Sequence, residues 1–383
     1  MVISITPHAR DNFNDLSTLT IKHANGKIDT PNRLVNRYDL NAKNEIGADI
    51  PLTRISKSFM IQESLNPEKL NNVLTKNGYL GELLTKFRPI QSRIDSDSLT
   101  LLYPSLTAES VKQLDTRKKK IDFTRFFCNL ANQLGLESIV LPAIDNVIEM
   151  DSQVSKHGLQ LIPVLELKEE TPIFEKQMEN CQKIGNHNIP LIALKFAQYP
   201  SANKTYDYIM DNFEKIHDKR KQAIMMVDTP RALYSDVNYN VSAPHYGSFF
   251  TADLIAEGYT GGGGGNTNKS VRLFCKNDLV TPKIELRDNK FDAEQEKRVF
   301  SNDPKLEELF EKMATHKLKE EDWKNNRPKY LSRVHENVQT RSEFKNLHDN
   351  IESNSTRDYL GEKHDMDSVV RKHLEPRFQK KLD

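Results

Sequence analysis

The chain has 383 residues, 37% of them hydrophobic and 28% charged, the balance of a globular protein with a heavily solvated surface. Lys and Arg number 55 against 54 Asp and Glu, so bulk charge favours neither nucleic acid nor an acidic membrane, and a nucleic-acid partner must be met by a local patch. Cys128, Cys181 and Cys275 build neither a disulfide framework nor a C-x-x-C pair, no apolar run approaches a bilayer span, and MVISITPHARDNF does not read as a signal peptide; the expected location is the cytoplasm.

In chain order, residues 18–36 (TLTIKHANGKIDTPNRLVN) read as a hairpin and a further strand. Asn25-Gly26 is expected to supply a positive-φ turn and Pro31 to end the second arm. Aliphatic or β-branched runs then recur at 48–53, 99–103, 138–143, 159–165, 189–196, 223–227 and 238–243. Between them lie stretches with apolar residues at helical spacing, at 65–86, 107–114, 122–135, 171–184 and 204–219. Near-continuous apolar strands alternating with helices predict a parallel sheet covered by helices. The number of units fits a closed barrel better than an open sheet, and no G-x-G-x-x-G follows any strand. The expected fold is therefore α/β, a (β/α)8 TIM-type barrel with an N-terminal hairpin, over residues 1–260.

Residues 261–289 are expected to connect. The run Gly261–Gly265 reads as a loop or linker, because five glycines have too much backbone freedom to hold one conformation cheaply. A phosphate-cradling loop, with Lys269 and Arg272 as counter-charges, is the sharper alternative, but the G-K-[ST] ending is absent. Residues 290–383 carry 20 Lys/Arg and 20 Asp/Glu and have apolar residues at helical spacing in PKLEELFEKM and SVVRKHLEPRF. They predict a charged, helical C-terminal region that docks on the barrel. Its basic points could form a phosphate-binding stripe if they align; a solvated face is the ordinary reading.

Catalytic groups of a barrel sit at the C-terminal ends of its strands. Polar residues there are Thr53, Arg54, Asp145, Asn146, Glu166, Lys168, Lys195, Gln198, Asp228, His245 and Tyr246, with Asp95 and Asp97 ahead of or within another strand. Carboxylates and a histidine at such places suit acid–base or nucleophilic chemistry. Asp228, followed by Thr-Pro-Arg, reads as a helix N-cap with Pro230 at the first helical position. His245, in SAPHYGSFF, is the most informative histidine, weighed against a satisfied structural role. Cys128 lies on an apolar helical face and reads as a core thiol. No H-E-x-x-H, His-x-His or cysteine cluster occurs, so neither a metal site nor a cofactor is expected.

Several stretches, in order, resemble the tRNA-guanine transglycosylase family, whose catalytic domain is a (β/α)-barrel. HANGKIDTP is similar to its opening hairpin, NAKNEIGADIPLT to its next helix–strand unit, and IDSDSLTLLYPSL stands in the place of D-S-G-G-F-Q-V-F-S-L. ANQLGLESIVLPAIDN resembles the unit ending in D-E-C, and KQAIMMVDTPRAL the G-V-G-T-P unit. The resemblance covers roughly residues 18–250. It implies that Asp95 takes the position of a general acid/base and that Asp145 reads a purine edge; beside these, Ser96 and Tyr246 are candidate substrate contacts, and His245 a candidate catalytic group that could donate a proton to a leaving base. It also implies nucleic acid, tRNA or DNA, as a possible partner; no membrane is expected from the apolar runs, and an oligomer or partner protein is left open. The departures are substantial. Asp97 and Ser98 replace two glycines, and LKFAQYPSA stands for the G-G-L-S-V-G-E loop. NVSAPHYGSFF carries no carboxylate where the family's nucleophilic aspartate lies, and the C-x-C-x-x-C zinc motif is absent. Three readings follow: a purine or 7-deazapurine transglycosylase or N-glycosidase with a relocated nucleophile, a non-catalytic nucleic-acid- or partner-binding barrel, or an unrelated barrel hydrolase or lyase on a small molecule.

Overall fold

The computed structural model describes residues 3–12, 16–36, 56–142, 147–167, 190–196, 222–229, 232–234, 240–242, 245, 248, 252–258, 270–277, 279, 281, 283–286, 294 and 320–363. Eight of its strands form a closed, all-parallel barrel: β4 (Asn32–Asn36), β5 (Ser58–Leu65), β6 (Leu99–Leu106), β7 (Ser138–Pro142), β8 (Gln160–Leu167), β9 (Leu191–Phe196), β10 (Ala223–Thr229) and β13 (Leu254–Glu257), which returns to β4. Among the described residues, helices α1 (Pro67–Thr75), α2 (Tyr79–Gln91), α3 (Ala108–Gln113), α4 (Arg117–Gln133) and α5 (Val147–Lys156) lie between strands. The fold is a (β/α)8 TIM-type barrel.

Each strand alternates between two cores, because successive side chains point to opposite faces. The outward set, with Ile61, Leu102, Ile139, Leu161, Ile192 and Ile224, packs against Phe87, Phe123, Phe127 and Cys128 of the helices. Burial pushes the Cys128 thiol up to about 12, so it stays an unreactive core group as its apolar helical face suggests. The inward set, with Leu34, Met60, Leu101, Tyr103, Val140, Ile162, Val164, Ala193, Met225 and Ala256, fills the barrel. Its lower end is closed by β1 (Ser4–Arg10), β2 (Ser17–His23) and β3 (Gly26–Asp29), an antiparallel sheet whose Leu19, Ile21 and Ile28, with Ile3 just ahead of β1, join the interior core.

Four details differ from the sequence reading. The β2–β3 turn is made by Ala24 and Asn25, and neither Asn25 nor Gly26 has positive φ. Gly26 is instead required for space, since a Cβ there would stand 2.4 Å from the Asp97 carbonyl oxygen. The second barrel strand is β5; the run at 48–53 lies outside the described residues. The run at 238–243 yields β12 (Asn240–Ser242), which pairs antiparallel with β11 (Ala232–Tyr234) outside the barrel, and the eighth barrel strand is β13. The stretch at 65–86 is two helices, parted at Gly78 with φ +89°.

The C-terminal region contributes α6 (Glu320–Glu352) and α7 (Thr356–Gly361). α6 lies against β4, β1, β2 and the short strand β14 (Ser270–Arg272), which pairs with β15 (Lys283–Glu285). Phe344, Leu347 and Ile351, at helical spacing, form its buried stripe. A buried ionic cluster joins it to the barrel wall: Arg33 Nη2 meets Glu257 Oε2 at 2.9 Å, Arg333 reaches the same oxygen at 3.6 Å, and Glu336 lies 3.9 Å from Arg33. Such charges are tolerated in low dielectric only because they neutralise one another. The segments around PKLEELFEKM and SVVRKHLEPRF, and Gly261–Gly265, lie outside the described residues.

Candidate active site at the barrel mouth

The inward face turns from apolar to polar at the C-terminal end of strand after strand. Leu34 is followed two residues on by Asn36, Met60 by Gln62, Tyr103 by Ser105, Val164 by Glu166 and Ala193 by Lys195. Period-two geometry therefore gathers these polar groups at one end of the barrel.

At the centre of this layer is Asp228. By strand parity it should point outward, since Val227 points in. The β10–β13 register, however, steps from Met226↔Ile255 to Thr229↔Glu257, so β10 carries one extra residue there. Asp228 occupies that bulge with φ +56°, a left-handed conformation that Asp tolerates better than most side chains. The bulge swings its carboxylate into the barrel. Gln62 Nε2 donates to Oδ1 at 2.5 Å, while Tyr103 Oη at 2.9 Å and Ser105 Oγ at 2.8 Å donate to Oδ2. Lys195 Nζ lies 3.2 Å from Oδ2 and also donates to the Leu106 carbonyl at 3.3 Å. A carboxylate has about four acceptor positions, and these donors engage Oδ2 more heavily than Oδ1. Donors from β5, β6 and β9 thus hold one anion from β10, with Lys195 supplying the compensating charge.

The bulge depends on Gly258. A Cβ at that position would lie 2.8 Å from Asp228 Cα and 3.0 Å from its carbonyl carbon and oxygen. Because the obstruction is backbone, no side-chain rotation relieves it. Gly258→Ala is expected to lower unfolding stability by about 1–3 kcal/mol and to displace Asp228, measurable by urea denaturation with a crystal structure of the variant.

Tyr103 reports the electrostatics of the mouth. Its hydroxyl is held well above the ordinary phenol range, first by burial and then by the Asp228 charge, with Glu166 adding a smaller push in the same direction. Asp228→Asn should bring the alkaline titration of Tyr103 down toward, but not to, that range, because burial persists. Carbon-13 NMR of labelled tyrosines, with Tyr103→Phe for assignment, reads this directly.

The residues singled out from sequence are dispersed. Asp95 and Ser96 are exposed in the turn that precedes β6, at the N-terminal rim; the strand separates them from the mouth by roughly 20–25 Å. His245 is fully buried behind the barrel wall, stacked on Phe274 at 5.0 Å and Phe344 at 4.7 Å. Burial, reinforced by Lys363 and Arg33, lowers it to about 3, so it is a neutral packing group between α6 and the barrel. Asp145 and Tyr246 lie outside the described residues. Asp228 is part of β10, where the sequence suggests a helix cap. Among the described residues no group of three or more His, Cys, Asp or Glu side chains is placed to hold a metal ion, and no helix among them is long and apolar enough to cross a membrane.

Comparison with known proteins adds no identity to this geometry: no family model matches the chain, and no curated protein matches it.

Proposed function

We propose that the barrel mouth is the active site of an enzyme that acts on the N-glycosidic bond of a purine or 7-deazapurine nucleotide, by base exchange or by cleavage. The chain would then be a divergent relative of the tRNA-guanine transglycosylases in which the nucleophile has moved to Asp228. The observation that carries this reading is an anionic carboxylate aimed into the mouth and braced by Lys195, Tyr103, Ser105 and Gln62. Cleavage of a glycosidic bond passes through a sugar centre with cationic character, which needs a fixed carboxylate on one face and a second acid/base group for the leaving group. Asp228 Oδ1, the less heavily engaged oxygen, suits attack on or stabilisation of C1′. Glu166, on the same inward face and near enough to act on Tyr103, suits proton delivery to the departing base. Lys195, Tyr103 and Ser105 hold the attacking group in one orientation.

The test is incubation of the protein with labelled guanine and bulk tRNA or DNA. Incorporation of label supports exchange, and release of free purine base without incorporation supports hydrolysis. Neither outcome, with salt-sensitive nucleic-acid binding retained, would favour the non-catalytic reading.

A further inference from the structure

We infer that Asn36 and Gln62 are positioning residues that carry hydrogen-bond polarity from a backbone carbonyl to Asp228, so that Gln62 always presents a donor to Oδ1. The relay begins at Glu257, whose carbonyl oxygen can only accept. Asn36 faces it through Nδ2 at 3.1 Å, and the same nitrogen donates to Gln62 Oε1 at 2.6 Å. An amide that offers oxygen on one side offers nitrogen on the other. Gln62 must therefore turn Nε2 toward Asp228, and it does, at 2.5 Å. Rotating the Gln62 amide would set donor against donor at Asn36 and oxygen against oxygen at Asp228. Asn36 is 4% exposed and Gln62 2% exposed, so water cannot relieve either conflict and each would leave buried polar atoms unmet.

The chain of contacts also links the mouth to the C-terminal helix. The Glu257 carboxylate is held on the outer face by Arg33 and by Arg333 of α6, while its carbonyl sets the direction of the relay inside. Among the described residues, the charged groups around Asp228 are Lys195 from β9 and Glu166 from β8, with the Tyr103 hydroxyl from β6. Glu63 of β5, by contrast, belongs to the outer face, bound by Lys69 and Lys86. The inference rests on Asp228 as the reacting carboxylate, but its test does not require activity.

Gln62→Glu replaces the donor by an oxygen of the same shape. Two carboxylates at that separation can coexist only by sharing a proton, which the folded variant holds and the unfolded chain releases at neutral pH. That proton stabilises the fold at low pH, and its contribution disappears as pH rises. The stability gap between wild type and Gln62→Glu, followed by thermal unfolding from pH 5 to pH 8, is expected to widen by several degrees. Gln62→Leu, which cannot take up a proton, should show a gap independent of pH. In the base-release assay Gln62→Leu and Asn36→Leu should lower kcat and leave KM nearly unchanged. A gap equally flat for Gln62→Glu and Gln62→Leu overturns the relay. A widening gap in a protein that releases no base upholds the relay and removes the glycosidic reading instead.

Discussion

Asp228→Asn is expected to reduce base exchange or release by roughly 10³–10⁴-fold, the scale seen when a carboxylate central to covalent chemistry is neutralised without changing shape. The substitution keeps the volume of the side chain and its place in the bulge. It removes the anion that would meet C1′, and an amide oxygen is a poor nucleophile and a poor partner for a cationic sugar. It also leaves Lys195 beside a neutral group, so part of the loss will be a rearranged mouth. Asp228→Glu separates the contributions: the charge returns, but the longer side chain cannot satisfy Gln62, Tyr103 and Ser105 together. Activity of Asp228→Glu is therefore expected to fall between wild type and Asp228→Asn. Rates measured at saturating nucleic acid, with circular dichroism melts to confirm folding, check both variants. An Asp228→Asn protein as active as wild type would move the chemistry elsewhere.

The largest stability effect is expected at His245, with a definite sign in pH. In the unfolded chain its imidazole titrates near the ordinary value of about 6.5, whereas burial between Phe274 and Phe344 lowers it to about 3 in the folded protein. Between those values the unfolded chain binds a proton that the folded one refuses. Stability from this site is thus fully present above about pH 6.5 and is lost as pH falls toward 3, at roughly 1.4 kcal/mol per pH unit. Between pH 6.5 and pH 4.5 wild type should lose about 2–3 kcal/mol more than His245→Phe, which keeps a flat ring in the stack and has nothing to protonate. Urea unfolding of both proteins across that window gives the comparison. Because the stack joins α6 to His245 and to Phe274, just after β14, acid should loosen the C-terminal helix first, readable by hydrogen exchange at Phe344 and Leu347.

The barrel was legible because its strands are apolar on both faces, and runs such as SIVLP, LIALKF and AIMMV announce a parallel sheet without reference to any helix. Two of its strands were harder to see. β5 (SFMIQESL) carries Gln62 and Glu63 in its C-terminal half, each buried for a different reason: one faces the mouth and the other is neutralised by Lys69 and Lys86. β13 (LIAE) is four residues long and ends in a charge that only the Arg33 pairing makes intelligible. At the site, Lys195 and Glu166 followed from strand position alone. Asp228 stood on the same list, yet its sequence context of Thr and Pro favoured a cap. What reverses that reading is a one-residue bulge enabled by Gly258, and a bulge depends on register with a neighbouring strand about thirty residues away, which local pattern does not encode. Asn36 and Gln62 carry no motif at all; their meaning exists only in the direction of their hydrogen bonds. His245 stood out in a stretch of small and aromatic residues that suggested a packed loop, and the rings it stacks on, Phe274 and Phe344, are far from it in sequence.

The central claim is that Asp228 is the reacting carboxylate of a glycosidic site, and a trapped intermediate tests it most directly. The protein would be mixed with the tRNA or DNA that supports base release, quenched in denaturant, digested, and analysed by mass spectrometry for a sugar-linked peptide. An adduct is expected on the peptide containing residues 223–229, and none in Asp228→Asn. An adduct on another carboxylate, or turnover undiminished in Asp228→Asn, would contradict it.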